Sequence, residues 1–212
     1  IKEAFPFVNT STDNKAAVKD ADVVFVVVKP WLAEPVIKDL LPVLDLTRQS
    51  IVSVAANVLT GQVREWLASP SANVFYAIPN IAAEYGQSMN FLAAAEGVTK
   101  DKTDEIAALF SLVGEVMVVE ERLVLPGMLM ASCGIAYVMR FLRAMQEGGV
   151  EMGFYPQQAK DIALQTMQGA VTLLKETGLH PEAAIDKVTT PGGVTIKGLN
   201  KLEEAGFTNA VI

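Results

Sequence analysis

The stretch DVVFVVVKP, Asp22 to Pro30, sets β-branched and aromatic side chains together without the polar alternation of a half-buried strand. A run of this kind is what a parallel strand covered on both faces requires. Similar runs recur at Ser50 to Ala55 (SIVSVA), Val74 to Ile78 (VFYAI), Met89 to Ala93 and Glu115 to Val119, and Phe5 to Val8 is read as a further strand. Between them the sequence predicts helices over Asn14 to Asp20, Leu32 to Leu44, Thr60 to Ala68 and Asp101 to Val113. Thr60 is read as an N-cap and Gly114 as a helix-ending glycine. Strand and helix alternating in this way predict an α/β layer on a mostly parallel sheet. Ligands of such sheets bind beyond the carboxyl ends of the strands, which here include Val28-Lys29-Pro30 and Ala55-Ala56-Asn57.

After Glu121 the strand signal stops. Helices are expected over Met128 to Gln146, Pro156 to Glu176, Pro181 to Lys187 and Thr195 to Glu204. In the first, Ile135, Val138, Met139 and Leu142 recur at three- and four-residue spacing, and Leu129, Met130, Ala136 and Tyr137 widen the apolar face beyond one stripe. A helix apolar on so many sides needs cover, and a partner subunit is expected to supply part of it. The expected division is residues 1–120 and 121–212.

Composition excludes several classes. The chain has 212 residues, 51% of them hydrophobic and 19% charged, yet no uncharged apolar run is read as approaching the roughly 20 residues of a membrane span, so no membrane role is expected. The 24 acidic against 17 basic side chains leave a net charge of −7 with the basic residues scattered, which argues against nucleic acid. A single cysteine, Cys133, rules out an internal disulfide. With only one histidine, His180, most metal sites and nucleophile–histidine pairs are also excluded, and no metal is expected. A reducing, cytoplasmic setting follows as the default. Ile1 is no initiator and no signal peptide is legible, so the chain reads as a piece of a longer one.

Two places invite chemistry. Lys29 closes a buried strand, where it is either a solvated strand-end lysine or part of a ligand rim. In TTPGGVTIKGL, Thr189 to Leu199, Gly192 and Gly193 allow positive φ and close approach, and the helix that follows aims free amides and its positive dipole end outward. That suits a carboxylate, with Thr195 adding a hydroxyl. The same residues also describe a tight turn with Thr195 as N-cap. His180 reads as a linker residue between two helices, Cys133 as a small residue in helix packing, and the methionines at 128, 130, 139 and 145 as core or interface.

The succession DNKAAVKDADVVFVVVKP, SIVSVAA, IPN, CGIAY, EGGVEMGF, ALQTMQGAVTLL and TTPGGVTIKGLNKLEEAGF resembles the pyrroline-5-carboxylate reductases, from about Thr12 to the last residue. The resemblance implies an α/β Rossmann-like domain, incomplete at its N-terminus, followed by an all-α dimerisation domain that interleaves with a second subunit. It implies reduction of the carbon–nitrogen double bond of 1-pyrroline-5-carboxylate, a cyclic imino acid, to proline with hydride from NADPH or NADH. By matching position, Asn14 and Val28-Lys29-Pro30 would line the cofactor, with Ala55 and Ala56 near the nicotinamide. Gly192, Gly193 and Thr195 would hold the substrate, the amides on its carboxylate and the Thr195 hydroxyl, as catalytic residue, near its ring nitrogen. The assembly implied is a homodimer or larger.

Some positions depart from the family pattern. Tyr76 stands for an arginine, Ile81 and Met128 for threonines, and Lys187 for an asparagine; the family's glycine-rich nucleotide fingerprint is not in these residues. Two alternatives follow from the departures, a non-catalytic binding protein built on the reductase fold and a related reductase for another imine.

Overall fold

The computed structural model describes residue 1 and residues 3–212. The chain divides into two compact units, residues 1–137 and 138–212.

The first unit is built on a five-stranded sheet in the order β1 (Val23–Val26), β2 (Ser50–Ser53), β3 (Asn73–Ile78), β4 (Ser88–Ala94) and β5 (Gly114–Val118). β1, β2 and β3 run parallel, β4 is antiparallel to β3, and β5 is parallel to β4. α1 (Asn14–Val18) precedes β1, α2 (Pro30–Leu40) and α3 (Thr60–Trp66) cross between the parallel strands, and α4 (Lys100–Ser111) joins β4 to β5. On one face Val24, Val26, Ile51 and Val74 pack with Ala33, Ile37 and Leu40 of α2 and Val63 of α3. On the other, Val52, Phe75, Ala77 and Leu92 pack with Ile106 and Phe110 of α4. Every residue of β2 is buried, which is why its sequence runs apolar or small without alternation.

Two strand readings need correction. β1 pairs only with β2 among the described residues, and its second face is partly open: Phe25 is 43% and Val27 69% exposed. Two-faced cover therefore holds for β2 and β3 but not for the run that most suggested it. Phe5 to Val8 forms turns, the Val8 amide donating to Phe5 O at 3.0 Å and Phe7 82% exposed, and it pairs with no strand among the described residues. Two local readings also change. Leu59, not Thr60, is the N-cap position of α3. Gly114 does not end α4, whose C-cap is Leu112; it opens β5 at φ 146°, where a Cβ would lie 2.0 Å from the Ser88 carbonyl oxygen.

Beyond β5 the backbone coils through α5 (Val124–Met128), a π-helical turn (Leu129–Cys133) and α6 (Gly134–Glu151). Together with the 3₁₀ turn at Glu121 they make one run, Glu121–Glu151, with a mean hydropathy of 1.5 over its most apolar 18 residues, long and apolar enough to cross a membrane. This corrects the reading that no apolar run comes near that length: Leu123 to Met139 carries no charge. Only 11% of that window is buried within the chain.

The second unit continues with α7 (Pro156–Thr177), α8 (Pro181–Val188), α9 (Val194–Glu204) and the short α10 (Phe207–Val211), which the sequence did not announce. Among its residues only Gly149, Ala159 and Ala163 are buried. α6 and α7 approach so closely there that a Cβ on Gly149 would sit 2.9 Å from that of Ala159. Val138, Met139, Ile162, Leu164 and Val171 meanwhile stay largely exposed. His180 caps α8, its Nδ1 accepting from the Glu182 amide at 3.3 Å, after Gly178 has ended α7 in the left-handed region.

Candidate functional site

The carboxyl ends of β1 and β2 lie side by side, and the Val54 amide continues the ladder by donating to the Val26 carbonyl at 3.1 Å. Val28-Lys29-Pro30 and Ala55-Ala56 thus leave adjacent strands at one sheet edge. Lys29 is exposed and takes the N-cap position of α2 with extended backbone, no side chain capping the helix, and Pro30 begins the first turn. Pro30 is well placed, since the amide it lacks is one the helix leaves unpaired.

After β2 the chain turns tightly. The Val58 amide donates to Ala55 O at 3.1 Å. Asn57 takes φ 63°, a conformation that asparagine tolerates better than most residues. Ala55 is buried and Ala56 half-buried, each bringing only a methyl group to this edge. Three side chains hold this segment from outside it. The Asn57 amide donates to Tyr76 Oη at 2.9 Å, the Leu59 amide to Gln62 Oε1 at 3.0 Å, and the Thr60 amide to Glu121 Oε1 at 2.6 Å. Gln62 thereby satisfies the amide of the Leu59 N-cap, and Glu121 that of Thr60, the first residue of α3. Tyr76 is fully buried; burial pushes its phenol above the ordinary tyrosine value, the Asn57 hydrogen bond opposes that, and the negative charge of Glu121 adds to it.

β3 ends at the same edge, in Pro79-Asn80. The Asn80 carboxamide oxygen accepts from the Ala82 amide at 2.9 Å, and the Ser132 hydroxyl of the π-helical turn donates to Pro79 O at 3.4 Å. Neither Tyr76 nor Glu121 was singled out for this edge by the sequence, because each reaches it across many intervening residues. Ser53, at the end of β2, is likewise fully buried, and its hydroxyl has no partner among the described residues.

Asn14 opens α1, exposed, behind Asp13, whose carboxylate caps the helix by accepting from Lys15 and Ala16 amides at 2.9 and 3.3 Å. No hydrogen bond among the described residues joins Asn14 to the Lys29 or Ala55 segments.

In the second unit, Pro191-Gly192-Gly193 turns into α9, the Gly193 amide donating to Thr190 O at 2.9 Å. The two glycines are required for different reasons. Gly192 has φ 71° with open space around it; Gly193 has ordinary φ, but a Cβ there would lie 2.5 Å from Thr190 Oγ1. Gly193 is the N-cap of α9, and no side chain accepts from the first-turn amides. Thr195 lies within the first turn, exposed, so the reading of Thr195 as N-cap does not hold. The helix start is therefore an uncapped set of donors with a free hydroxyl beside it, which is the arrangement an anionic oxygen would find favourable. A cavity of about 430 Å³ lies between α8, α9 and α10, lined by Thr189 and Ile196 among others, but not by Gly192, Gly193 or Thr195.

Residues 121–212 match the family model described as pyrroline-5-carboxylate reductase dimerisation, and residues 1–57 match NADP oxidoreductase, coenzyme F420-dependent. A pyrroline-5-carboxylate reductase of Synechocystis sp. is 35% identical over 97% of this chain and 75% of its own length. The chain belongs to the pyrroline-5-carboxylate reductase family. Pyrroline-5-carboxylate reductase 1 of Dictyostelium discoideum is 37% identical over 96% of this chain, which spans 39% of that longer protein. The solved pyrroline-5-carboxylate reductase of Coxiella burnetii superposes with a TM-score of 0.90 at 28% identity, covering 99% of this chain and 77% of that one. The Rossmann-like sheet followed by helices is the architecture of the family, and its second part is the family's dimerisation region.

Proposed function

We propose that this chain forms most of an NAD(P)H-dependent reductase that converts 1-pyrroline-5-carboxylate to proline. The observation that carries the reading is the uncapped start of α9, with Gly192 at positive φ, Gly193 pressed against Thr190 and the Thr195 hydroxyl exposed, in a member of this family. A planar carboxylate on a small ring suits these donors, and the Thr195 hydroxyl is proposed as the group at the ring nitrogen. The part to about residue 120 would carry the nucleotide and the helical part from 121 the substrate and the dimer contact.

The residues at the β1 and β2 edge fit a dinucleotide. Val28-Lys29-Pro30 offers a cation on an open rim, and Ala55 and Ala56 leave room for a flat ring. Asn14 is proposed to line the same cofactor. No G-x-G-x-x-G segment occurs in this sequence, so these residues form one rim of a nucleotide site and not its phosphate loop. When bound, the reduced nicotinamide supplies the hydride. The chain's own contribution is alignment and charge: α9 amides hold the carboxylate, Thr195 orients the ring nitrogen, and the nitrogen keeps the proton that makes the carbon electrophilic. Neither a histidine nor a carboxylate pair is needed for that step.

The largely exposed apolar residues of α6 and α7 and the dimerisation match support a second copy of this chain as their cover. A homodimer or larger assembly in a reducing, cytoplasmic setting is the proposed state. Ile81, 73% exposed beside the β3 edge, and Lys187, both departing from the family pattern, favour as second reading a reductase of the same chemistry for another imine.

The test is NAD(P)H oxidation by the full-length protein on addition of pyrroline-5-carboxylate, with a panel of other cyclic imines alongside. Turnover is expected with at least one nucleotide. A folded, dimeric sample that oxidises neither nucleotide with any imine would sink the proposal.

A further inference from the structure

The turn proposed to face the nicotinamide is held in place by residues remote from it in sequence. Its amide at Asn57 is accepted by Tyr76 Oη at 2.9 Å, and the first amide of α3, at Thr60, by Glu121 Oε1 at 2.6 Å. Between these two anchors lie only Val58, buried, and Leu59, so the segment from Ala55 to Thr60 has little freedom left. Asn57 at φ 63° occupies a sparsely populated region that asparagine tolerates better than most residues, and the bond to Tyr76 adds to what holds it there. Tyr76 is itself fully buried, in β3 between β2 and β4. Val124, at the start of α5 and three residues beyond Glu121, packs in the same cluster as Tyr76.

We propose that Tyr76 and Glu121 are positioning residues for hydride transfer: by accepting the Asn57 and Thr60 amides they fix the Ala55–Ala56 turn against which the nicotinamide lies. The inference rests on the reductase reading above. Neither residue touches substrate or cofactor; each acts through the backbone it holds. Alignment of donor and acceptor carbons is the main demand of this reaction, and a small displacement of the donor ring slows the chemical step more than it weakens binding.

Tyr76→Phe keeps the ring and its packing and deletes only the accepting oxygen. In the full-length protein this variant is expected to stay folded, with the KM for the imine within about twofold and kcat lowered about five- to tenfold, the effect of one lost hydrogen bond on alignment. The deuterium isotope effect on kcat, with NAD(P)H labelled at the transferred position, is expected to rise as hydride transfer becomes slower than product release. Glu121→Ala is expected to behave likewise, and Glu121→Gln, which keeps an accepting oxygen, to recover most of the parent rate. A Tyr76→Phe enzyme with the parent kcat and isotope effect overturns the inference. So does a rate loss that follows only the loss of folded protein with the isotope effect unchanged. If the parent protein itself turns over no imine, it is the reductase reading that fails, and this inference falls with it.

Discussion

Replacing Thr195 with alanine separates a helix cap from a substrate contact, because the two roles predict opposite signs for stability. α9 begins at Val194 with Gly193 as its cap, and the Thr195 side chain accepts from none of its amides. An exposed threonine inside a helix is a poorer helix former than alanine, so the substitution is expected to raise stability by up to about 0.7 kcal/mol. Loss of a true capping hydroxyl would instead lower it by about 1 kcal/mol. In a chain of this size that amount corresponds to roughly 2–4 °C in Tm, within reach of a thermal melt followed by circular dichroism. On activity the expectation is loss. A hydroxyl bonded to a ring nitrogen that carries charge is worth about 1.5–3 kcal/mol, or a ten- to hundredfold fall in kcat/KM. Unchanged or higher Tm with at least a tenfold loss in steady-state kcat/KM supports the assignment. Lower Tm with undiminished turnover would refute both the structural reading of Gly193 as cap and the catalytic role of Thr195.

Gly114→Ala is expected to destabilise the first unit by about 3 kcal/mol, seen as a lower urea midpoint, since its Cβ would lie 2.0 Å from the Ser88 carbonyl oxygen and neither backbone can yield. Met139→Glu places a charge on the exposed apolar side of α6, where Met139 is 56% exposed; sedimentation should show a monomer with unchanged helicity, and a persistent dimer would remove this face from the interface. Burial holds the Tyr76 phenol above its ordinary value, so the folded chain binds that proton more tightly than the unfolded one. The resulting stability is complete below about pH 10 and is lost as pH rises through the folded value, so Tyr76→Phe should soften the alkaline fall in stability.

Much of the fold could be read from local pattern. β2 and β3 are buried on both faces, and a strand in that position has no reason to alternate, so SIVSVA and VFYAI announce themselves. The same reasoning misread Phe5 to Val8, because β propensity states only that a segment suits a sheet, and among the described residues no strand pairs with it. The π-helical turn at Leu129 to Cys133 left no local mark, since its residues suit an ordinary helix equally well. α10 was missed because five residues carry too short a period to register.

At the candidate site the division is sharper. Sequence alone determined that a proline, two glycines and a hydroxyl lie at the start of an amphipathic helix, that Lys29-Pro30 follows an apolar strand, and that these 212 residues hold one histidine and one cysteine. These are matters of residue type and near spacing. Tertiary structure alone decided that Gly193 caps α9 and leaves Thr195 free, and that Gly192 and Gly193 are glycines for different reasons, one for backbone angle and one for space. It also decided that Tyr76 and Glu121 hold the turn after β2, reaching it across 19 and 61 residues. A hydrogen bond over such distances depends on which strands become neighbours and where each one ends, and no local periodicity encodes that.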